Sequence, residues 1–131
     1  MRPMPWFSRR KQKEIWEPED DKVPSGDIET AHQIRDICSS AASSAEKLAR
    51  LVNRPSDKNK KFEAARYDGA KKRALELAKQ ISDELLRDTA VRQIVNLCMR
   101  ANDVETATVL IDAIQTEKIR EEMLKEHPSL R

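Results

Sequence analysis

Two stretches of this chain, offset by 33 residues, spell nearly the same helix–turn–helix. Residues 74–90 align with residues 107–123. Ala74/Ala107, Leu77/Leu110, Ile81/Ile114, Glu84/Glu117 and Arg87/Arg120 are identical, and Leu86/Ile119 and Asp88/Glu121 are conservative. Five identities in seventeen aligned positions exceed the roughly one expected by chance, and a period of this length suits a helical hairpin that buries its apolar face against its neighbours.

Proline placement agrees with helices. Pro3, Pro5, Pro18 and Pro24 crowd the first 24 residues, Pro55 and Pro128 follow, and residues 56–127 contain none. Gly26 and Gly69 are the only glycines, too few for the turns of a sheet-rich protein or for a phosphate-cradling loop. With 131 residues the chain is expected to form one domain. At 38% apolar and 37% charged, it suits an elongated helical body with much solvated surface. The expected fold is all-α: a short antiparallel array of about five helices with a flexible N-terminal arm. The arm covers 1–26, the helical domain 27–127 and a tail 128–131.

The first helix is expected from about Asp27 to Asn53, capped by Ser25 or Asp27, with Ile28, Ala31, Ile34, Ile37, Cys38, Ala41, Ala45, Leu48 and Val52 facing inward. Its small-residue middle, 39–45, is a candidate bend. The second, 60–80, is expected to bury Phe62, Ala65, Ala70, Ala74, Leu77 and Ile81, with Gly69 admitting a close neighbour. Ser82-Asp83 is a turn and cap before a third helix, 83–100. Asn102 suits a left-handed turn residue and Asp103 a cap before the fourth helix, 104–114, with Val104 buried. Thr116 is expected to cap the fifth, 117–126, and Pro128 to end it.

Helices of this length joined by two- or three-residue turns resemble tetratricopeptide-like (TPR-like) helical hairpins over about residues 70–124. Asn102-Asp103-Val104-Glu105-Thr106-Ala107 resembles the turn between the two helices of such a unit, with Ala107 as the small residue packed on the first helix. Val95, Cys98 and Ile119 depart from that family's small, aromatic and proline positions. The resemblance implies protein–protein binding in a helical groove and no chemistry.

The residues themselves offer no catalytic constellation. His32 and His127 are the only histidines, one beside the apolar stripe of the first helix as a partly buried structural residue, the other in a fraying tail. No His-Glu-x-x-His or Cys-x-x-Cys is present, so no metal or cofactor is expected and the chain is not expected to be an enzyme. Cys38 and Cys98 read as buried reduced thiols, and with no secretory leader at the start and no apolar run of about 20 residues the expected location is cytoplasmic.

Charge is segregated. Residues 47–73 carry ten bases against three acids, and residues 14–46 carry nine acids against Lys22 and Arg35. A patch of Arg54, Lys58, Lys60, Lys61 and Arg66, with Tyr67 to stack on a base, would meet nucleic-acid phosphates or an acidic protein surface. The bland alternative is a solvated face neutralised by the acidic segment. Arg87 and Arg120 lie near helix starts, where a cation opposes the helix dipole. Either Glu84 and Glu117 neutralise them, or they form a guanidinium ladder for a partner carboxylate. The arm holds Trp6, Phe7 and Trp16, three of the five aromatics. Trp6-Phe7 beside Arg9-Arg10-Lys11 would hold an anionic membrane only weakly, so membrane binding is not expected. Ile15-Trp16 and the acids after it suit a linear segment that packs into a groove. The expected function is a non-enzymatic interaction module, an adaptor or regulator that binds another protein and self-associates, with a homodimer the simplest form. The alternative is a nucleic-acid-binding or regulatory protein using the 47–73 patch.

Overall fold

A computed structural model of the chain describes residues 25–51 and 58–131. The arm with Trp6, Phe7 and Trp16, and the loop with Arg54, lie outside the described residues. Within them the chain is all-α. Five helices, α1 (Ser25–Arg50), α2 (Lys58–Lys79), α3 (Glu84–Arg100), α4 (Val104–Ala113) and α5 (Glu117–Glu126), precede a 3-10 turn at Pro128–Leu130. No strand occurs among the described residues.

α1 packs along both α2 and α3, and α3 also carries α4 and α5. The core runs through this contact: Ile34, Cys38, Ala41 and Ala45 from α1, Tyr67, Ala74 and Leu77 from α2, and Ile94, Val95, Leu97 and Cys98 from α3. Ala107, Ile111, Ile119 and Met123 extend it to the last helices. Small side chains dominate the α1–α2 seam, which lets the two backbones approach closely. α1 runs unbroken through its serines, where a break was a candidate. Ser40 returns its hydroxyl to the Asp36 carbonyl at 2.9 Å within the regular helix.

The two short turns have clear local causes. Asp83 accepts the Leu86 backbone N–H at 2.9 Å and starts α3. Asn102 ends α3 with φ 62°, a left-handed conformation that asparagine tolerates. Asp103 then caps α4, accepting from the Thr106 N–H at 3.4 Å.

Several expectations are corrected. Thr116 stands at the N-cap position of α5 without capping it, because its hydroxyl donates to Asp88 instead. Asp27 lies in the first turn of α1, yet its carboxylate also serves a distant turn. Phe62 is 58% exposed and Ala65 is exposed. The first half of α2 instead buries Glu63 and Tyr67, while Ala74 and Leu77 are buried as expected. Ile28, Val104 and His32 are also exposed. Gly69 faces open space, with no neighbour close enough to need its missing side chain. The tail is docked: His127 is half-buried, its Nε2 2.9 Å from the Asn96 Oδ1, and Leu130 is buried. Pro128 opens the 3-10 turn that carries it.

Candidate functional site

The junctions between helices are built from buried carboxylates. Asp27 Oδ2 accepts from the Ser82 N–H at 3.0 Å, the Ser82 hydroxyl at 2.9 Å and the Asp83 N–H at 2.9 Å. Asp88 Oδ2 accepts in the same way from the Gln115 N–H at 3.1 Å, the Thr116 N–H at 2.7 Å and the Thr116 hydroxyl at 2.6 Å. Thus α1 clasps the α2–α3 turn, and α3 clasps the α4–α5 turn. Burial works to raise the Asp27 pKa, but the bonds from Asp83 and Ser82 outweigh it and hold the carboxyl below its ordinary value.

A third clasp crosses from α2. The Tyr67 hydroxyl donates to Asp103 Oδ2 at 2.6 Å, and Lys71 Nζ lies 3.0 Å from the same oxygen. The Lys71 ammonium also rests 4.9 Å from the Tyr67 ring centre. Burial and the Asp103 bond push the Tyr67 pKa far up. Opposing burial, bonds from Tyr67, Lys71 and Thr106 hold Asp103 low. Cys98 and Cys38 are both free and buried. Burial, with the nearby Cys98, raises the Cys38 thiol to about 11, and burial raises Cys98 as well. Such thiols are poor nucleophiles at neutral pH. Every polar group in this cluster is spent on structure.

The open surface lies elsewhere, between α1 and α2. One hollow of about 270 Å³ is lined by Asp36, Ile37, Ser40, Ala41, Arg66 and Ala70. A second, of about 410 Å³, is lined by Lys47, Arg50, Leu51, Asn59, Phe62 and Glu63 at the loop end of the hairpin. Asp36, Ser40, Lys47 and Leu51 recur at intervals of four and seven residues, and Asn59, Phe62, Arg66 and Ala70 at three and four. Each set therefore keeps to one helix face, and the hollows share one side of the hairpin. The floor is apolar, from Ile37, Ala41, Ala70, Leu51 and the exposed ring of Phe62. The walls carry Lys47, Arg50 and Arg66 against Asp36 and Glu63.

The charges on those walls are unevenly satisfied. Lys47 lies 3.9 Å from Glu63, and Asp36 lies 3.7 Å from its neighbour Arg35. Arg66 lies over the Phe62 ring, 5.6 Å from its centre. Among the described residues neither Arg50 nor Arg66 has a carboxylate within ion-pair distance. A guanidinium stacked on a ring still has its N–H edge available for a carboxylate. The arrangement can hold an apolar side chain below and an anion above.

Of the other candidate residues, Lys58 and Lys61 are exposed on α2 and Lys60 is half-buried. Tyr67 is 2% exposed with its hydroxyl engaged, so it cannot stack on a base. Arg120 Nη1 donates to the Ile114 carbonyl at 2.6 Å, where a cation completes the C-terminus of α4. That use removes Arg120 from a guanidinium ladder. Neither Glu84–Arg87 nor Glu117–Arg120 forms an ion pair. Arg87 is half-buried on α3. The ion pairs between helices use other residues: Arg100 with Glu46 at 2.8 Å, and Arg92 with Glu122 at 2.9 Å and Glu126 at 2.5 Å.

Sequence reasoning missed Phe62 as a surface residue and Asp27 and Asp88 as clasps. The signal for the clasps was an aspartate within the first five residues of α1 and of α3. Among the described residues, no group of three or more His, Cys, Asp or Glu could hold a metal ion, and no helix is long and apolar enough to cross a membrane. No family model, curated protein or solved structure matches the chain.

Proposed function

We propose that this protein is a non-enzymatic interaction module, an adaptor or regulator, whose α1–α2 groove receives an acidic segment of a partner protein bearing one bulky apolar side chain. The observation that carries this reading is the apolar floor flanked by Arg50 and Arg66, which have no carboxylate partner among the described residues. The carboxylates of Asp27, Asp88 and Asp103 are already committed to the fold, and both thiols are buried. The TPR-like character read from residues 70–124 belongs to the same proposal, as does a cytoplasmic setting, where free thiols persist. The self-association expected from the sequence would draw on Leu85 and Val109, which are 59% and 63% exposed.

Panning a random-peptide display library against the full chain tests the proposal. Acidic peptides with a Trp, Phe or Leu are expected to be enriched. Arg66→Glu is expected to weaken them by about tenfold, because it replaces an attraction with a repulsion at a partly solvated site. No enrichment, or binding indifferent to both Arg66→Glu and Ser40→Glu, removes the reading.

The second reading, nucleic-acid binding, rests on the outer side of α2, where Lys58, Lys61, Lys72 and Lys79 are exposed. It has lost its base-stacking tyrosine. Binding to a random duplex that weakens steeply between two salt concentrations, and that Lys58→Glu with Lys61→Glu abolishes, would favour it over the groove.

A further inference from the structure

We infer that the acidic segment received by the α1–α2 groove belongs to a second copy of this chain, as the outward ridge of its α4, so that copies join head to tail. This inference rests on the groove reading above and names the partner of that surface.

The ridge itself is the first observation. Six of the ten residues of α4 are apolar, yet only Ala107 and Ile111 are buried. Glu105, with Thr108, Val109 and Asp112 three, four and seven residues on, forms one exposed side. Val109, 63% exposed, is the most open large apolar side chain among the described residues. The Thr108 hydroxyl is turned back to the Val104 carbonyl at 2.9 Å, so its polar atom is already used. Among the described helices α4 alone lacks a lysine or arginine. Glu105 and Asp112 have no ion pair among the described residues. An apolar side chain between two unpaired acids complements an apolar floor between two unpaired arginines.

The second observation is spacing. Glu105 and Asp112 are about 10 Å apart along α4. In the groove, the contact of Lys47 with Glu63 sets the level of α1 against α2. The two helices run in opposite directions, since early α1 faces late α2. Arg50 therefore lies three residues to the loop side of that level and Arg66 three residues to the other side, about 9 Å apart along the groove. Acids at the ridge's spacing meet both arginines, with Val109 between them near Phe62. The groove's own acids, Asp36 and Glu63, already have Arg35 and Lys47 beside them.

The third observation is direction. α4 packs on α3, α5 and the final turn, not on α1 or α2. Just before its start, Asp103 is tied to Lys71, which lies on a different side of α2 from Arg66. A chain therefore cannot seat its own ridge in its own groove. The contact is heterologous: one copy's ridge enters the next copy's groove, which leaves a free ridge at one end and a free groove at the other. An external acidic peptide that takes the groove ends such an assembly.

Sedimentation velocity of the full chain at rising concentration tests the pairing. Self-association is expected. Arg66→Glu in the groove and Val109→Lys on the ridge should each weaken it by about tenfold or more. Both side chains are exposed, so helical circular dichroism should be unchanged. An equal mixture of the two variants should then form a dimer, with the intact ridge of the first in the intact groove of the second. A chain that stays monomeric to about 1 mM overturns the inference. Association that survives Arg66→Glu also overturns it and assigns the contact to a symmetric surface, and so does a mixture that stays monomeric. Enrichment of acidic peptides in the display experiment beside any of these results keeps the groove and discards the second copy as its occupant.

Discussion

Asp88 is 1% exposed and gathers three donors on one oxygen. Removing it leaves two backbone N–H groups and a hydroxyl without their partner at a buried turn. Asp88→Ala is expected to destabilise the fold by about 3 kcal/mol, measured as a shift in urea midpoint, because an orphaned buried donor costs far more than an intact hydrogen bond gains. Thr116→Ala removes one of the three and should cost about 1 kcal/mol. Asp27 and Asp103 add a dependence on pH. Both are held below their ordinary values in the folded state, so the unfolded chain binds more protons as acid is added. The stability they contribute is present above the unfolded aspartate pKa of about 3.9 and is lost as pH falls through their folded values. Urea midpoints measured from pH 7 to 3 are expected to drop steeply below about pH 4, and Asp27→Asn should flatten that fall.

The turns are where the sequence was most legible. The 33-residue echo aligned Ala74 with Ala107 and Ile81 with Ile114. In the fold these are a helix that ends and the turn residue behind it, buried to 0% and 1% exposure in both copies. Asn102, read as a left-handed turn residue, has φ 62°. Asn102→Ala is therefore expected to cost about 1 kcal/mol and Asn102→Gly almost nothing, by thermal denaturation. The register of α2 was not legible. Alanines on several sides of that helix give no decisive stripe, so Phe62 looked as buried as Tyr67. What selects Tyr67 is Asp103, 36 residues away, whose carboxylate receives the phenol. The candidate site shares this limit. Its charges could be counted in the sequence, but which arginines lack partners depends on how α1 and α2 face one another.

Across the whole molecule, support is uneven. α3 touches every other helix, while α5 rests only on α3, α4 and the final turn. Hydrogen exchange should therefore find the slowest amides in α3, around Ile94–Cys98, and the fastest helical amides in α5. Equal protection along the chain would contradict this arrangement. The ion pairs of Arg92 with Glu122 and Glu126 add little against such opening, since all three side chains are substantially solvated. The carboxylate of Asp27 has a different effect. During synthesis it waits for residues 82 and 83 to leave the ribosome, and Asp88 waits for 115 and 116. Each early rod is thus completed only by the segment after next. A nascent or truncated chain that stops between them leaves that carboxylate in water and its rod unfastened, and such a fragment should be an early target for proteolysis.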